Sequence, residues 1–225
     1  MSRSGDLAQD IRPISKDYQL FLNYILKGWK VKKNCSVIIL AAGRSSRMGK
    51  PKFLLEFGNG ASFLENIIRQ YDEFGSVNII VVLNSDGIEK IKKHPQNLPP
   101  KTQIVLNQHP EYGRFYSIKT GLQFCTNNYT FIHNVDNPFA RKKVLDQLYN
   151  ARSEADVIKP AIAGKGGHPV LISKKVCDYI VHEKDHNLNL NEVLQKFQTK
   201  GVEVQDDSIL LNINSHNEFI EFMKK

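Results

Sequence analysis

Two alanines and a glycine, followed within ten positions by four cations, mark the stretch LAAGRSSRMGKPKFLL, Leu40 to Leu55. Ala41, Ala42 and Gly43 carry little side chain, so backbone N–H groups there can come close to a ligand. Arg44, Arg47, Lys50 and Lys52 then supply positive charge. A triphosphate, with about three to four negative charges, is the natural partner of such a loop. The pattern is not a Walker P-loop, which needs four residues between its glycines and a Ser or Thr after the lysine. Here five residues separate Gly43 from Gly49, and Pro51 follows Lys50. On composition alone, a solvated basic turn remains an open reading.

A loop of this kind must be held by rigid elements. CSVIIL, just before it, is a short apolar run of the sort buried on both faces of a sheet. SFLENIIRQYDEF reads as a helix with Ser62 as N-cap and Glu65 completing a capping box. VNIIVVL, TQIVL and TFIHNVD read as further strands, with DGIEKIKKH, YSIKTGLQFC and RKKVLDQLYNAR as the helices between or after them. The alternation predicts an α/β fold, a Rossmann-like, mainly parallel sheet with helices on both faces. The basic loop then leaves the C-terminal end of the first strand, where open α/β sheets bind ligands. In the second half, ADVIKPAIAGKGGHPVLIS suggests two strands around a glycine-rich turn. Helices are expected at about 174–183 and 190–197, short strands around Asp206-Asp207, and a last helix from Ser215. Residues 1–34 form a separate extension, and 35–225 the main domain. Within the extension Tyr18, Phe21, Leu22, Ile25, Leu26 and Trp29 share one helical face. A lone helix of about fifteen residues is marginal in water, so it is expected to dock on the main domain or on a partner subunit.

Composition sets the outer limits. The chain has 225 residues, of which 41% are hydrophobic, and a net charge of +8. Its cations are scattered and no basic stripe interleaved with aromatics is evident, so neither nucleic acid nor membrane is expected as a partner. No apolar run approaches the roughly 18 residues of a membrane span, and MSRSGDLAQDIRP lacks a secretory h-region. The three cysteines, Cys35, Cys125 and Cys177, are far apart and suit packing rather than disulfides. A cytoplasmic location is expected.

Leu40 to Leu55 resembles the signature LAAGxSxRMGxxKxLL of the nucleotidyltransferases that act on molybdenum cofactor, a family that shares its broader fold with sugar-phosphate nucleotidyltransferases (the nucleotide-diphospho-sugar transferase type). Further segments are similar in the same order. NQHPEYGRFYSIKTGL carries Asn107, Gly113, Ser117, Gly121 and Leu122 at matching positions. VDNPF resembles a GDxP element through Asp136 and Pro138. GKGGHPVLIS resembles the GHPVL run of the cytidylyltransferase branch, and LNINSHNEF the closing element. The likeness spans about Ser36 to Phe222.

The resemblance implies transfer of a nucleoside monophosphate from a triphosphate, CTP favoured, to a phosphate on a small-molecule acceptor such as molybdopterin, with release of pyrophosphate. It implies Arg47 and Lys52 as phosphate-binding cations and Leu40, Ala41, Ala42 and Gly43 as the nucleotide-site backbone. It implies Asp136 as a Mg2+ ligand with Asn214 as second contact, Asn107 and Ser117 beside the nucleotide, and His168 on the acceptor side. Each has a plainer alternative: Asp136 and Ser117 as helix caps, Asn107 as a loop residue, His168 as turn filler. The sequence also departs from the family. Val135 replaces a glycine, Asn212 and Asn214 replace acids, and KDHNLNLNEVL lacks the glycines of a GDxG segment. The departures leave two further readings: a nucleotidyltransferase of the same fold acting on a sugar phosphate or other alcohol phosphate, or a nucleotide-binding protein without catalysis.

Overall fold

Six consecutive residues, Cys35 to Leu40, are buried, and the strand they belong to is an interior strand of the sheet, paired on both sides. This computed structural model describes residues 15, 32–43, 48–94 and 98–224. The chain divides into two units, Met1–Val31 and Lys32–Lys225. The helix expected from Tyr18 to Trp29 lies outside the described residues, as does Arg47.

Strand β1 spans Lys33–Leu40. After the basic stretch the chain makes a short 3-10 turn at Lys52–Leu54, where Phe53 and Leu54 are buried and pin the backbone. Helix α1 (Phe63–Phe74) starts with the expected capping box. Ser62 Oγ accepts from Glu65 N at 3.1 Å, and Glu65 Oε2 accepts from Ser62 N at 2.9 Å. Such a cap contributes about 1 kcal/mol. There follow β2 (Ser76–Leu83), α2 (Ser85–Lys93), β3 (Thr102–Leu106), α3 (Gly113–Leu122), β4 (Tyr129–Asn134) and α4 (Lys142–Asn150). The second half adds β5 (Val157–Ile162), β6 (Lys165–Gly166), β7 (Val170–Ser173), α5 (Lys174–His182), α6 (Leu190–Leu194), β8 (Thr199–Glu203) and α7 (His216–Met223).

These strands form one eight-stranded sheet in the order β3-β2-β1-β4-β7-β5-β6, with β8 beside β5. The block β3-β2-β1-β4 is wholly parallel. Strand β7 is antiparallel to β4 and to β5, and β8 runs parallel to β5. The sheet is therefore mixed around a parallel core. Alternation splits the core into two layers. Val37, Ile39 and Phe131 face α1 and α4, whereas Ile38, Leu40, Val82 and Ile132 face α3, α5 and α6.

The register places the site. Leu40 is level with Val82 on one side and Asn134 on the other, and Leu83 is level with Leu106. Four strand ends therefore share one edge, and the segments after β1, β3 and β4 leave it together. Two elements differ from expectation. Strand β4 stops at Asn134, because Asn137 N turns back to Asn134 O at 3.1 Å. Past β8 no second strand forms. Asp206 caps a 3-10 turn at Asp207–Leu210, and Ile213 N then bonds Asp136 O at 2.8 Å, which ties the tail to the β4 edge.

Candidate active site

A cavity of about 390 Å³ opens at this edge. Its floor is Leu40, Ala41, Ala42 and Gly43, and a Cβ on Gly43 would enter open space rather than meet protein. Ala41 N bonds Val82 O at 3.0 Å, which continues the sheet one residue beyond β1. Asn84 then fixes the loop from the side. Its Nδ2 donates to Ala42 O at 2.8 Å while its Oδ1 caps α2 by accepting from Gly87 N at 2.7 Å.

Lys52 and Asp136 stand on the same wall, brought together from positions far apart in the sequence. Lys52 Nζ donates to Asn214 Oδ1 at 2.7 Å and lies 3.9 Å from Asp136 Oδ2. The lysine side chain is only 15% exposed, so its charge is held largely out of water, where it acts on an anion more strongly. Lys50 points elsewhere and pairs with Glu56 on the surface.

Asp136 is not a helix cap, since the next helix begins at Lys142 after Arg141. Its Oδ1 is buried and has no hydrogen-bond partner among the described residues. A carboxylate oxygen left in that state suits a cation. No cluster of three His, Cys, Asp or Glu side chains that could hold a metal exists among the described residues. An ion here would rest on one carboxylate and the ligand's own oxygens, which is how magnesium usually binds. Asn214 lines the cavity, and its oxygen is shared with Lys52. Asn212 is exposed, and its Nδ2 donates to Leu210 O.

Ser117 lines the cavity from inside α3, so it is not a cap either. Its hydroxyl donates to Gly113 O at 3.2 Å and accepts from Asn107 Nδ2 at 2.9 Å. Asn107 is fully buried behind it and does not reach the cavity wall. Asn107 Oδ1 accepts from His109 N, so this side chain joins the end of β3 to the start of α3. The segment from Asn134 to Pro138 is braced from below. Buried His133 holds Asn137 O through Nε2 at 2.7 Å, and its Nδ1 accepts from Tyr71 OH at 3.1 Å. Burial pushes the His133 pKa down to about 4.

Two contributors were not legible as site residues. Arg114, the second residue of α3, lies on the cavity wall. Desolvation lowers its pKa and the Asp136 charge opposes that, but a guanidinium keeps its proton. The signal was a cation next to a glycine that matches the family segment. Asn134 also lines the cavity, and its Nδ2 lies 3.3 Å from His168 Nε2. His168 sits behind Asn134. Its own backbone N–H bonds Ile209 O at 2.9 Å, and Gly167 is needed beside it, since a Cβ there would lie 2.5 Å from that same oxygen.

The profile of the MobA-like NTP transferase domain matches residues 37–201, and these contain the second half of β1, all of β4, Lys52 and Asp136. A molybdenum cofactor cytidylyltransferase of Escherichia coli K12 is 27% identical over 185 residues, covering 81% of this chain and 92% of the relative. A probable molybdenum cofactor guanylyltransferase of Clostridium perfringens is 28% identical over 203 residues, covering 84% and 96%. A Mycobacterium tuberculosis H37Rv protein solved as a complex with manganese superposes with a TM-score of 0.70 over 86% of this chain and 100% of its own, at 14% identity. That last likeness is one of fold.

Proposed function

Because the chain belongs to the MobA-like NTP transferase domain family, we propose that it transfers a nucleoside monophosphate from CTP to the phosphate of a molybdopterin-type acceptor and releases pyrophosphate. The observation that carries this reading is the group formed by Lys52, Asn214 and Asp136, with the carboxylate's Oδ1 buried and without a hydrogen-bond partner among the described residues, over a floor of small residues. A cation held in place by an amide, beside an unsatisfied carboxylate, is a site made for a metal-bound polyphosphate. The choice of CTP and of the acceptor rests on the GHPVL run and on the names of the relatives.

In the proposed reaction an acceptor phosphate oxygen attacks the α-phosphorus. The bond from that phosphorus to the oxygen bridging to the β-phosphate breaks, and its electron pair leaves with pyrophosphate. The attacking oxygen is already anionic, so the site has to position and neutralise rather than supply a strong base. Lys52 holds the β- and γ-phosphates, and its charge stabilises the leaving pyrophosphate. Arg47, assigned by its motif position, does the same from the basic loop. Leu40 to Gly43 line the nucleotide, and Ser117, steadied by Asn107, borders it. Asp136 holds Mg2+, with Asn214 as second contact through its remaining lone pair. Such an ion, when bound, screens the phosphate charges and makes the α-phosphorus more electrophilic. His168 belongs to the acceptor side.

The test is pyrophosphate release with CTP, GTP, ATP and UTP, each with magnesium or manganese, in the presence of molybdenum cofactor. Release with CTP and the cofactor is the expected result. Absence of release with every triphosphate, together with no thermal stabilisation by any of them, would leave a protein without this activity. A nucleotide at a hundred times its Kd should add about 2.7 kcal/mol.

A further inference from the structure

Next to the Lys52–Asp136 wall lies a set of donors that, among the described residues, have no acceptor within hydrogen-bond or ion-pair distance, although the Asp136 charge is felt by two of them. Strand alternation brings them to one face. Val157 packs in the layer under α3 and Ile158 in the opposite one, so Lys159 returns to the α3 side. Ile132 is in the α3 layer and His133 is bonded on the other side, so Asn134 again faces α3. Val170 is in the α3 layer, two residues beyond His168. Arg114 is in the first turn of α3 itself and borders both the nucleotide cavity and a neighbouring one of about 420 Å³.

The chemistry of the three groups is one-sided. Asn134 Nδ2 is a donor, so the His168 Nε2 facing it accepts and the ring proton sits on Nδ1. That Nδ1 is buried and has no hydrogen-bond partner among the described residues. Lys159 is half-buried on β5, and among the described residues no carboxylate lies within ion-pair distance of it or of Arg114. The sheet register brings them to one end: Ile132 is level with Val170 and Ile158 with Leu171, so Asn134, His168 and Lys159 follow one another on neighbouring strands, and the charges of Arg114 and Lys159 both disfavour a proton on the His168 ring, while Asp136 favours it. Partial burial lowers the Lys159 pKa.

Donors gathered in this way suit an anion. We propose that Arg114, Lys159 and the His168 Nδ1–H form a second phosphate site, which takes the acceptor's phosphate monoester and holds it against the nucleotide. The assignment rests on the nucleotidyl-transfer reading given above and adds two residues to it, Arg114 and Lys159. The need for such a site is electrostatic. A phosphate dianion must be brought to within about 3.5 Å of a triphosphate that is itself polyanionic, and like charges at that range repel by several kcal/mol at a protein-like dielectric. Lys52 and a metal at Asp136 serve the triphosphate, and Arg114 and Lys159 serve the other anion.

The experiment is a calorimetric titration of inorganic phosphate into the full-length protein, saturated beforehand with α,β-methylene-CTP and magnesium. Wild type, Lys159→Met and the charge-retaining Lys159→Arg are compared. Phosphate is expected to bind wild type and Lys159→Arg within about threefold of each other, and Lys159→Met at least tenfold more weakly. The affinity for the methylene nucleotide should stay within twofold across all three. Lys159→Gln gives the same readout if Lys159→Met does not fold. Equal phosphate affinity in every variant, no phosphate binding to wild type, or displacement of the nucleotide by phosphate would each overturn the proposal. Failure of the parent reading looks different, because the methylene nucleotide then does not bind at all. The titration on nucleotide-free protein still reports whether a Lys159-dependent phosphate site exists.

Discussion

Lys52 and Asp136 divide the work at the residue scale, and the division can be measured. Lys52 is anchored by Asn214, so its charge is fixed before any ligand arrives and little ordering is needed on binding. Removing it in Lys52→Ala should cost about 2–4 kcal/mol of transition-state stabilisation, or roughly 30- to 1000-fold in kcat/KM for the triphosphate. The fold should survive, because Lys52 stands at the cavity wall and losing its hydrogen bond to Asn214 costs about 1 kcal/mol. A pyrophosphate-release assay with unchanged turnover in Lys52→Ala would remove this lysine from the site. Asp136→Asn keeps the shape and deletes the charge. It should abolish turnover and its dependence on magnesium, whereas Asn214→Ala, which releases the lysine but spares the carboxylate, should be milder. Wild-type magnesium titration curves for Asp136→Asn would show that its buried Oδ1 has no part in binding a cation.

Helix α3 decides at the element scale how close the site's parts come together. It presents Ser117 and Arg114 to the cavity and packs Gly121 against the two central strands. A Cβ on Gly121 would lie 2.7 Å from Ile38 Cγ2 and 3.0 Å from Val82 Cγ2. Both neighbours are fully buried in strands that cannot easily retreat. Gly121→Ala gains up to about 1 kcal/mol of helix propensity, but overpacking at such a contact costs about 1–3 kcal/mol. The net expectation is a melting temperature lowered by a few degrees, with triphosphate affinity reduced as α3 is pushed away from the sheet. A raised melting temperature would mean that the helix can shift without loss. This element also shows what the sequence makes legible. The Ser62–Glu65 capping box and the strand β1 are local patterns, and both stand where the spacing places them. The position of Gly121 was legible as a motif residue, although its reason, the 2.7 Å approach, depends on strands 39 to 83 residues earlier. Arg114 and Lys159 escaped notice because a lone cation in a sequence looks like surface. What sets them apart is that neither has an ion-pair partner among the described residues, a property of β5, β7 and α3 together. The strand expected beyond Asp206-Asp207 failed for a related reason: a tertiary bond from Ile213 to Asp136 O, rather than a neighbouring strand, takes up the backbone there.

At the scale of the whole molecule, buried polar bracing under the site gives stability a dependence on pH. The segment from Asn134 to Ala140 is held by buried groups on the α1 side. His133 bonds Asn137 O, Asn66 Nδ2 donates to Pro138 O at 2.9 Å, and Asn137 Nδ2 donates to Ser208 O at 3.0 Å. His133 lies at the centre with both ring nitrogens engaged, Nε2–H donating and Nδ1 accepting from Tyr71 OH. A second proton on the ring would have to displace the tyrosine's donation and carry a charge into a fully buried position, which is why the pKa falls from 6.5 to about 4. The unfolded chain titrates near 6.5, so between that pH and about 4 the unfolded state binds the proton and the folded state does not. Stability therefore holds above pH 6.5 and falls as the pH drops through this window, by up to about 1.4 kcal/mol per pH unit for a group shifted this far. His168, also pushed down to about 4 by burial, adds a second contribution in the same direction. Urea unfolding at pH 7.0, 6.0 and 5.0, above most carboxylate titration, isolates the effect. His133→Gln should be less stable than wild type at pH 7.0, because its buried partners lose their geometry, and should nevertheless lose less on acidification. Parallel pH profiles for the two proteins would place the His133 proton outside the folding equilibrium and leave the acid sensitivity to other groups.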